Sequence, residues 1–99
     1  MIIDEDGLWI SAPIILPHGA TVTACIVEGN AGATSASFSF FRVEHSTQNA
    51  YLLAQASVGT EDTSITTPVI DNEIQSYCIS VWTLDTADEI YYARIKYTL

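Results

Sequence analysis

Tyr77-Cys78-Ile79-Ser80-Val81-Trp82 alternates Tyr77, Ile79 and Val81 with Cys78, Ser80 and Trp82, and the run continues to Asp85. Successive side chains of a strand point to opposite faces, so this period of two sets an apolar face against a mixed one. Asp85 to Asp88 reads as a turn, and Glu89 to Leu99 alternates again. There Tyr91, Ala93, Ile95, Tyr97 and Leu99 share one face, while Tyr92, Arg94 and Lys96 share a second, wetter one. Helical periodicity has no place in such a pattern, and the rest of the chain repeats it.

Leu8 to Ile15 opens as a strand in which Pro13 marks a break or an edge, since proline donates nothing to a ladder. Leu16-Pro17-His18-Gly19 is a turn, and Ala20 to Glu28 places Val22, Ala24 and Ile26 opposite Thr21, Thr23 and Cys25, the aliphatic side being the expected core side. Gly29-Asn30-Ala31-Gly32 tolerates chain reversal. Thr34 to Glu44 is a second long strand with Phe38, Phe40 and Phe41 on both faces. After the polar link His45 to Asn49, Ala50 to Gly59 reads as a strand with Leu52, Ala54, Ala56 and Val58 on one face. A short helix capped by Thr47 or Asn49 is the alternative there, because Ala-Tyr-Leu-Leu-Ala-Gln-Ala holds good helix formers. Glu61 to Asn72 is Thr-rich and predicts one short strand before Pro68, followed by a turn at Asp71-Asn72-Glu73.

Six to eight strands joined by short connections exclude a parallel α/β sheet, whose crossovers are long. The expected fold is all-β, an antiparallel β-sandwich with jelly-roll or Greek-key connections rather than a closed barrel, in a single domain over residues 1–99. Hydrophobic residues make up 48% of the 99 positions, enough for one core and against disorder.

The net charge is −9, with 12 acidic residues against Arg42, Arg94 and Lys96. Such a field repels phosphate backbones and anionic lipid, so nucleic acid and membrane surfaces are not expected partners. No apolar run approaches the roughly 20 residues that a spanning helix needs. Met1-Ile2-Ile3-Asp4-Glu5-Asp6 has neither the basic nor the apolar region of a secretory signal. Cys25 and Cys78 are too far apart for a CxxC motif and sit in strand-like segments. They are either two buried free thiols or one disulfide between strands, which by loop entropy would contribute about 4 kcal/mol.

Ala12-Pro13-Ile14-Ile15-Leu16-Pro17-His18-Gly19-Ala20-Thr21-Val22-Thr23 and the terminal Arg94-Ile95-Lys96-Tyr97-Thr98 bracket most of the chain. Together they resemble a group of uncharacterised bacterial extracytoplasmic β-domains with an Ala-Pro-Val-x-Leu-Pro-x-Gly-Ala-x-Val-Thr opening and an Arg-Ile-x-Tyr-Thr ending. The resemblance implies a secreted or cell-surface β-sandwich with no general enzymatic activity. Ile26-Val27-Glu28-Gly29-Asn30 departs from that group, which often has aromatic residues and an Asp-Asn turn there.

Catalysis finds little support. His18 and His45 are the only histidines, no Gly-x-Ser-x-Gly elbow is present, and serine is frequent enough that one Ser-His proximity would carry little weight. The acidic groups Asp4-Glu5-Asp6, Glu61-Asp62, Asp71/Glu73 and Asp88-Glu89 lie in turns or at the terminus, where ordinary carboxylates serve solubility rather than general acid chemistry. Calcium is the one cofactor such loops suggest, without an EF-hand spacing, and no zinc set exists among the scattered His and Cys. Trp9, Tyr51, Trp82 and Tyr92, with Tyr91, form a candidate aromatic platform for a glycan or a protein, against the plainer reading as core. The expected function is a non-catalytic structural or interaction module that forms a homo-oligomer or binds another protein, with carbohydrate binding as the alternative and a small hydrolase third. Edge strands with only three basic residues to blunt them point to self-association.

Overall fold

The computed structural model describes residues 8–99, with the side chains of Leu8 and Trp9 outside that description. It is all-β and contains β1 (Leu8–Ile14), β2 (Thr21–Gly29), β3 (Ser37–Glu44), β4 (Ala50–Ser57), β5 (Gln75–Leu84) and β6 (Ile90–Thr98) among the described residues. β1, β5, β3 and β4 form a four-stranded antiparallel sheet in that order, and β2 with β6 forms a second sheet. Only β3 and β4 join as a hairpin within one sheet; the other connections pass between sheets or by way of the 59–74 segment.

The period of two in β5 governs the larger sheet. Tyr77, Ile79 and Val81 are buried, while Cys78, Ser80 and Trp82 turn outward. Phe38 and Phe40 of β3 enter the same interior, with Phe40 and Tyr77 at a ring-centroid distance of 6.1 Å, and Phe41 is left on the outer face, half-buried. Val22, Cys25 and Val27 of β2 close that interior from the second sheet.

Three expected faces change, two at an irregularity of the ladder and one at an uncovered edge. In β2 the pairing passes from Val22↔Tyr97 to Ala24↔Lys96, so Thr23 is an extra residue and the core parity flips from Val22 to Cys25 and Val27. Ala24 and Ile26 then face outward yet are buried, because Glu61 on one side of β2 pairs with Lys96 at 3.3 Å and Arg94 at 3.9 Å on the other, spanning them. In β4, Phe40↔Ala54 is followed by Phe41↔Leu52, so Leu53 is the extra residue. Leu53 is 1% exposed and Leu52 is 47% exposed, the reverse of the alternation expected from sequence. In β6 the expected apolar face is mostly open: Tyr91, Ala93, Tyr97 and Leu99 are exposed and Ile95 is half-buried, since β6 is an edge strand that the larger sheet does not cover.

One boundary changes as well, and one alternative falls. The stretch expected to begin a strand at Thr34 is a 3-10 helix, Ala31–Ser35, because Asn30 Oδ1 accepts from Ala33 N at 3.0 Å and caps it. The Ala50–Ser57 run is a strand, so its helix alternative is overturned: tertiary pairing with β3 outweighs local propensity.

The Glu61–Asn72 segment forms no full strand. It runs as a strap along β2, bridging Cys25↔Asp62 and Thr21↔Val69, with Val22 N donating to Pro68 O at 2.9 Å. It also seals β4, since Thr66 N donates to Leu53 O at 3.0 Å and Asp62 Oδ2 accepts from Gln55 N at 3.0 Å. One side of the sandwich is thereby closed. The Pro17–Gly19 turn is as expected, with Gly19 at φ 85 and Ala20 N donating to Pro17 O at 3.1 Å.

Candidate interaction surfaces

On the side opposite the strap, β1 and β6 are the outer strands of their sheets, and no described strand pairs with their free edges. Between them lies a groove of about 240 Å³. Its walls are Ile10 and Ala12 from β1, Ile79 and Val81 from β5, Val27 from β2, and Ile90, Tyr92 and Ala93 from β6, with Ser11 at the margin. Among the described residues no charged one lines it. β1 contains no charged residue along Leu8–Ile14, and both cations of β6 are drawn back over their own sheet onto Glu61. The devices that usually blunt an edge, a projecting lysine or an inward charge, are therefore missing apart from Pro13.

The outer face of the four-stranded sheet is a second distinctive surface. Strand register aligns Ser11, Ser80, Ser39 and Gln55 in one row across β1, β5, β3 and β4. Pro13, Cys78, Phe41 and Leu52 form the next row, flanked beyond by Ser76, Val43 and Ala50; on the other side stand Trp82, Ser37 and Ser57. Trp82 Nε1 donates to Ser39 Oγ at 3.3 Å, which holds the indole over the serine row. A shallow cavity of about 370 Å³ opens among Ser39, Phe41, Tyr51, Leu52 and Ser80.

The aromatic platform expected from sequence is distributed rather than assembled. Trp82 lies on the outer face of β5, Tyr92 borders the groove from β6, and Tyr51 on β4 takes the guanidinium of Arg42 over its ring at 4.3 Å. Trp9 falls outside the described side chains. Arg42 is half-buried and also donates to Gln75 Oε1 at 2.8 Å and to Glu44 Oε2 at 3.5 Å. All three basic side chains are thus occupied within the fold.

Cys25 and Cys78 are free thiols, which overturns the disulfide alternative. The reason is parity: Cys25 follows the β2 bulge into the core, whereas Cys78 lies between the inward Tyr77 and Ile79 and points away from it. Burial, with a smaller contribution from the Asp62 charge, pushes the Cys25 thiol up to about 12.

The histidines serve local contacts. His18 Nδ1 accepts from Asn72 N at 3.1 Å and so ties the first turn to the 71–73 turn. His45 Nε2 lies 2.8 Å from Ser76 Oγ on an exposed rim, and no described carboxylate hydrogen-bonds the imidazole. The acidic groups act on backbone. Asp62 Oδ1 accepts from Ser64 N, Asp71 Oδ1 from Glu73 N and Asp88 Oδ2 from Asp85 N, at 2.8–3.0 Å. Among the described residues no three His, Cys, Asp or Glu side chains converge on a metal position, and no helix is long and apolar enough to cross a membrane. Compared with known protein families, curated proteins and solved structures, the chain matches none.

Sequence reasoning missed the groove and the serine row. The first depends on which strands become edges, and the second on the mutual register of four strands far apart in the chain.

Proposed function

We propose that this chain is a non-catalytic interaction module of an extracellular assembly, and that it self-associates by adding a strand at its open side. The observation that supports this reading most is the pairing of two unblunted edges, β1 and β6, around an uncharged apolar groove. An extended segment laid there gains main-chain hydrogen bonds from an edge and places alternate side chains into the groove. The asymmetry with the opposite side, where the strap seals β2 and β4, adds to it. Placement outside the cytoplasm follows from the likeness of the opening and closing motifs to extracytoplasmic β-domains.

Sedimentation of the purified domain over a range of concentrations tests the reading. Mass is expected to rise with concentration, and Ala93→Lys, which puts a charge at the groove, is expected to reduce that rise. Association untouched by Ala93→Lys and by Ala12→Lys would remove strand addition at this edge.

A further inference from the structure

Among the described residues, the outer face of the four-stranded sheet carries no Asp, Glu, Lys or Arg in its four cross-strand rows. In a chain of net charge −9, that places every described charge somewhere else on the molecule. The second sheet shows the contrast, with Glu28, Arg94 and Lys96 in register on its strands and Glu61 reaching over them. We propose that two copies of this chain pack these uncharged faces against each other.

Electrostatics selects the occupant. Two copies of a strongly acidic chain repel, and the repulsion is least when the charge-free faces meet and the acidic rims stay in solvent. A basic partner would gain nothing from this face and would be drawn to the acidic loops instead.

Shape makes the same choice. Phe41, Tyr51 and Leu52 border a shallow recess that reaches Ser39 and Ser80, with the Trp82 indole held over Ser39, so the face carries both ridge and furrow. A surface that holds both ridge and furrow is complementary to itself across a two-fold axis, as an isologous interface requires. Trp82 and Leu52, 39% and 47% exposed, supply the apolar anchors, and the serines supply hydrogen bonds without a charge to desolvate. Four strands at about 4.8 Å spacing and roughly eight residues of about 3.3 Å give a face of roughly 500 Å² per copy. The pair would bury roughly 1,000 Å², the lower limit for a specific interface, so the dimer is concentration-dependent.

The proposal deepens the self-association suggested above but uses a separate surface, so the two fail separately. Sedimentation equilibrium of the domain from about 10 µM to about 1 mM provides the test, with Ser80→Glu placing a charge at the centre of the face and Ala93→Lys placing one at the groove. The expected result is a monomer–dimer equilibrium that tightens as salt is raised, because salt screens the rims and has no ion pair at the interface to weaken. Ser80→Glu is expected to weaken the face-to-face dimer by at least about tenfold, while Ala93→Lys leaves that dimer in place and removes only the additional rise in mass that strand addition produces. Iodoacetamide should alkylate Cys78 more slowly in the dimer than in the Ser80→Glu protein. Gln55→Glu, at the exposed end of the same row, replaces Ser80→Glu should the latter fail to fold. A wild-type monomer throughout, an association loosened by salt, or a dimer indifferent to Ser80→Glu and Gln55→Glu overturns the proposal. A dimer lost only in Ala93→Lys overturns it too, and leaves strand addition standing.

Discussion

Cys25 and Asp62 exchange both of their main-chain hydrogen bonds, N to O at 2.9 Å in each direction, and so fasten the strap to β2. The Asp62 carboxylate then reaches in the other direction to Gln55 N of β4 and to Ser64 N. One residue thus ties the two sheets together on the closed side.

Asp62→Ala removes both acceptors and leaves two amides without their partners. The expected loss is about 1–3 kcal/mol in urea unfolding, accompanied by faster exchange of the Gln55 and Ser64 amide protons. Unchanged exchange at Gln55 would show that the strap seals β4 by other means.

Alkaline stability is expected to fall as the Cys25 thiol becomes a liability. Its folded-state pKa is raised to about 12 from 9.0. Below about pH 9 the thiol is protonated in both states and has no effect on the slope. Between about pH 9 and 12 the unfolded chain ionises first and binds fewer protons, so stability drops by up to about 1.4 kcal/mol per pH unit. Urea unfolding across this range should show a shallower slope in Cys25→Ala than in the native chain; parallel slopes would refute the assignment.

The β4 bulge separates two adjacent leucines by function. Leu53→Ala should cost about 2–5 kcal/mol, as for a buried leucine truncated in a packed core, whereas Leu52→Ala should stay within about 1 kcal/mol. Thermal melts of the two variants decide this, and a larger loss for Leu52→Ala than for Leu53→Ala would mean that the strand keeps the unbroken alternation.

Tyr77 anchors the turn that precedes β5. Its buried hydroxyl accepts from Asp71 N at 2.9 Å and from Gln75 Nε2 at 2.8 Å. Tyr77→Phe keeps the packing against Phe40 but strands both donors, so a loss of about 1–3 kcal/mol in denaturant unfolding is expected.

Ala87 holds a φ of 72 in the turn between β5 and β6. Glycine adopts that conformation without the Cβ penalty, so Ala87→Gly is expected to leave stability unchanged or raise it by up to about 1 kcal/mol. A clear fall in melting temperature would speak against the left-handed turn.

Much of the fold was legible because strand alternation is a local property. The alternation of Tyr77, Ile79 and Val81 with Cys78, Ser80 and Trp82 is kept in the structure, the three phenylalanines of β3 do lie on both faces, and the Pro17–Gly19 and Asp71–Glu73 turns carry their own chemistry. The bulges at Thr23 and Leu53 were not legible. An extra residue is a property of the pairing between two strands, and nothing in Thr23 or Leu53 alone announces that the partner advances without it. The cysteine alternatives were undecided for the same reason, since the Thr23 bulge sends Cys25 inward.

From its residues alone this chain determined an antiparallel, all-β, acidic domain, because alternation and composition act within a few positions of each residue. Which strands became edges, which face was left without charge and which thiol entered the core were decided only in three dimensions. Those features arise from register between segments distant in sequence, where a shift of one residue turns every side chain over.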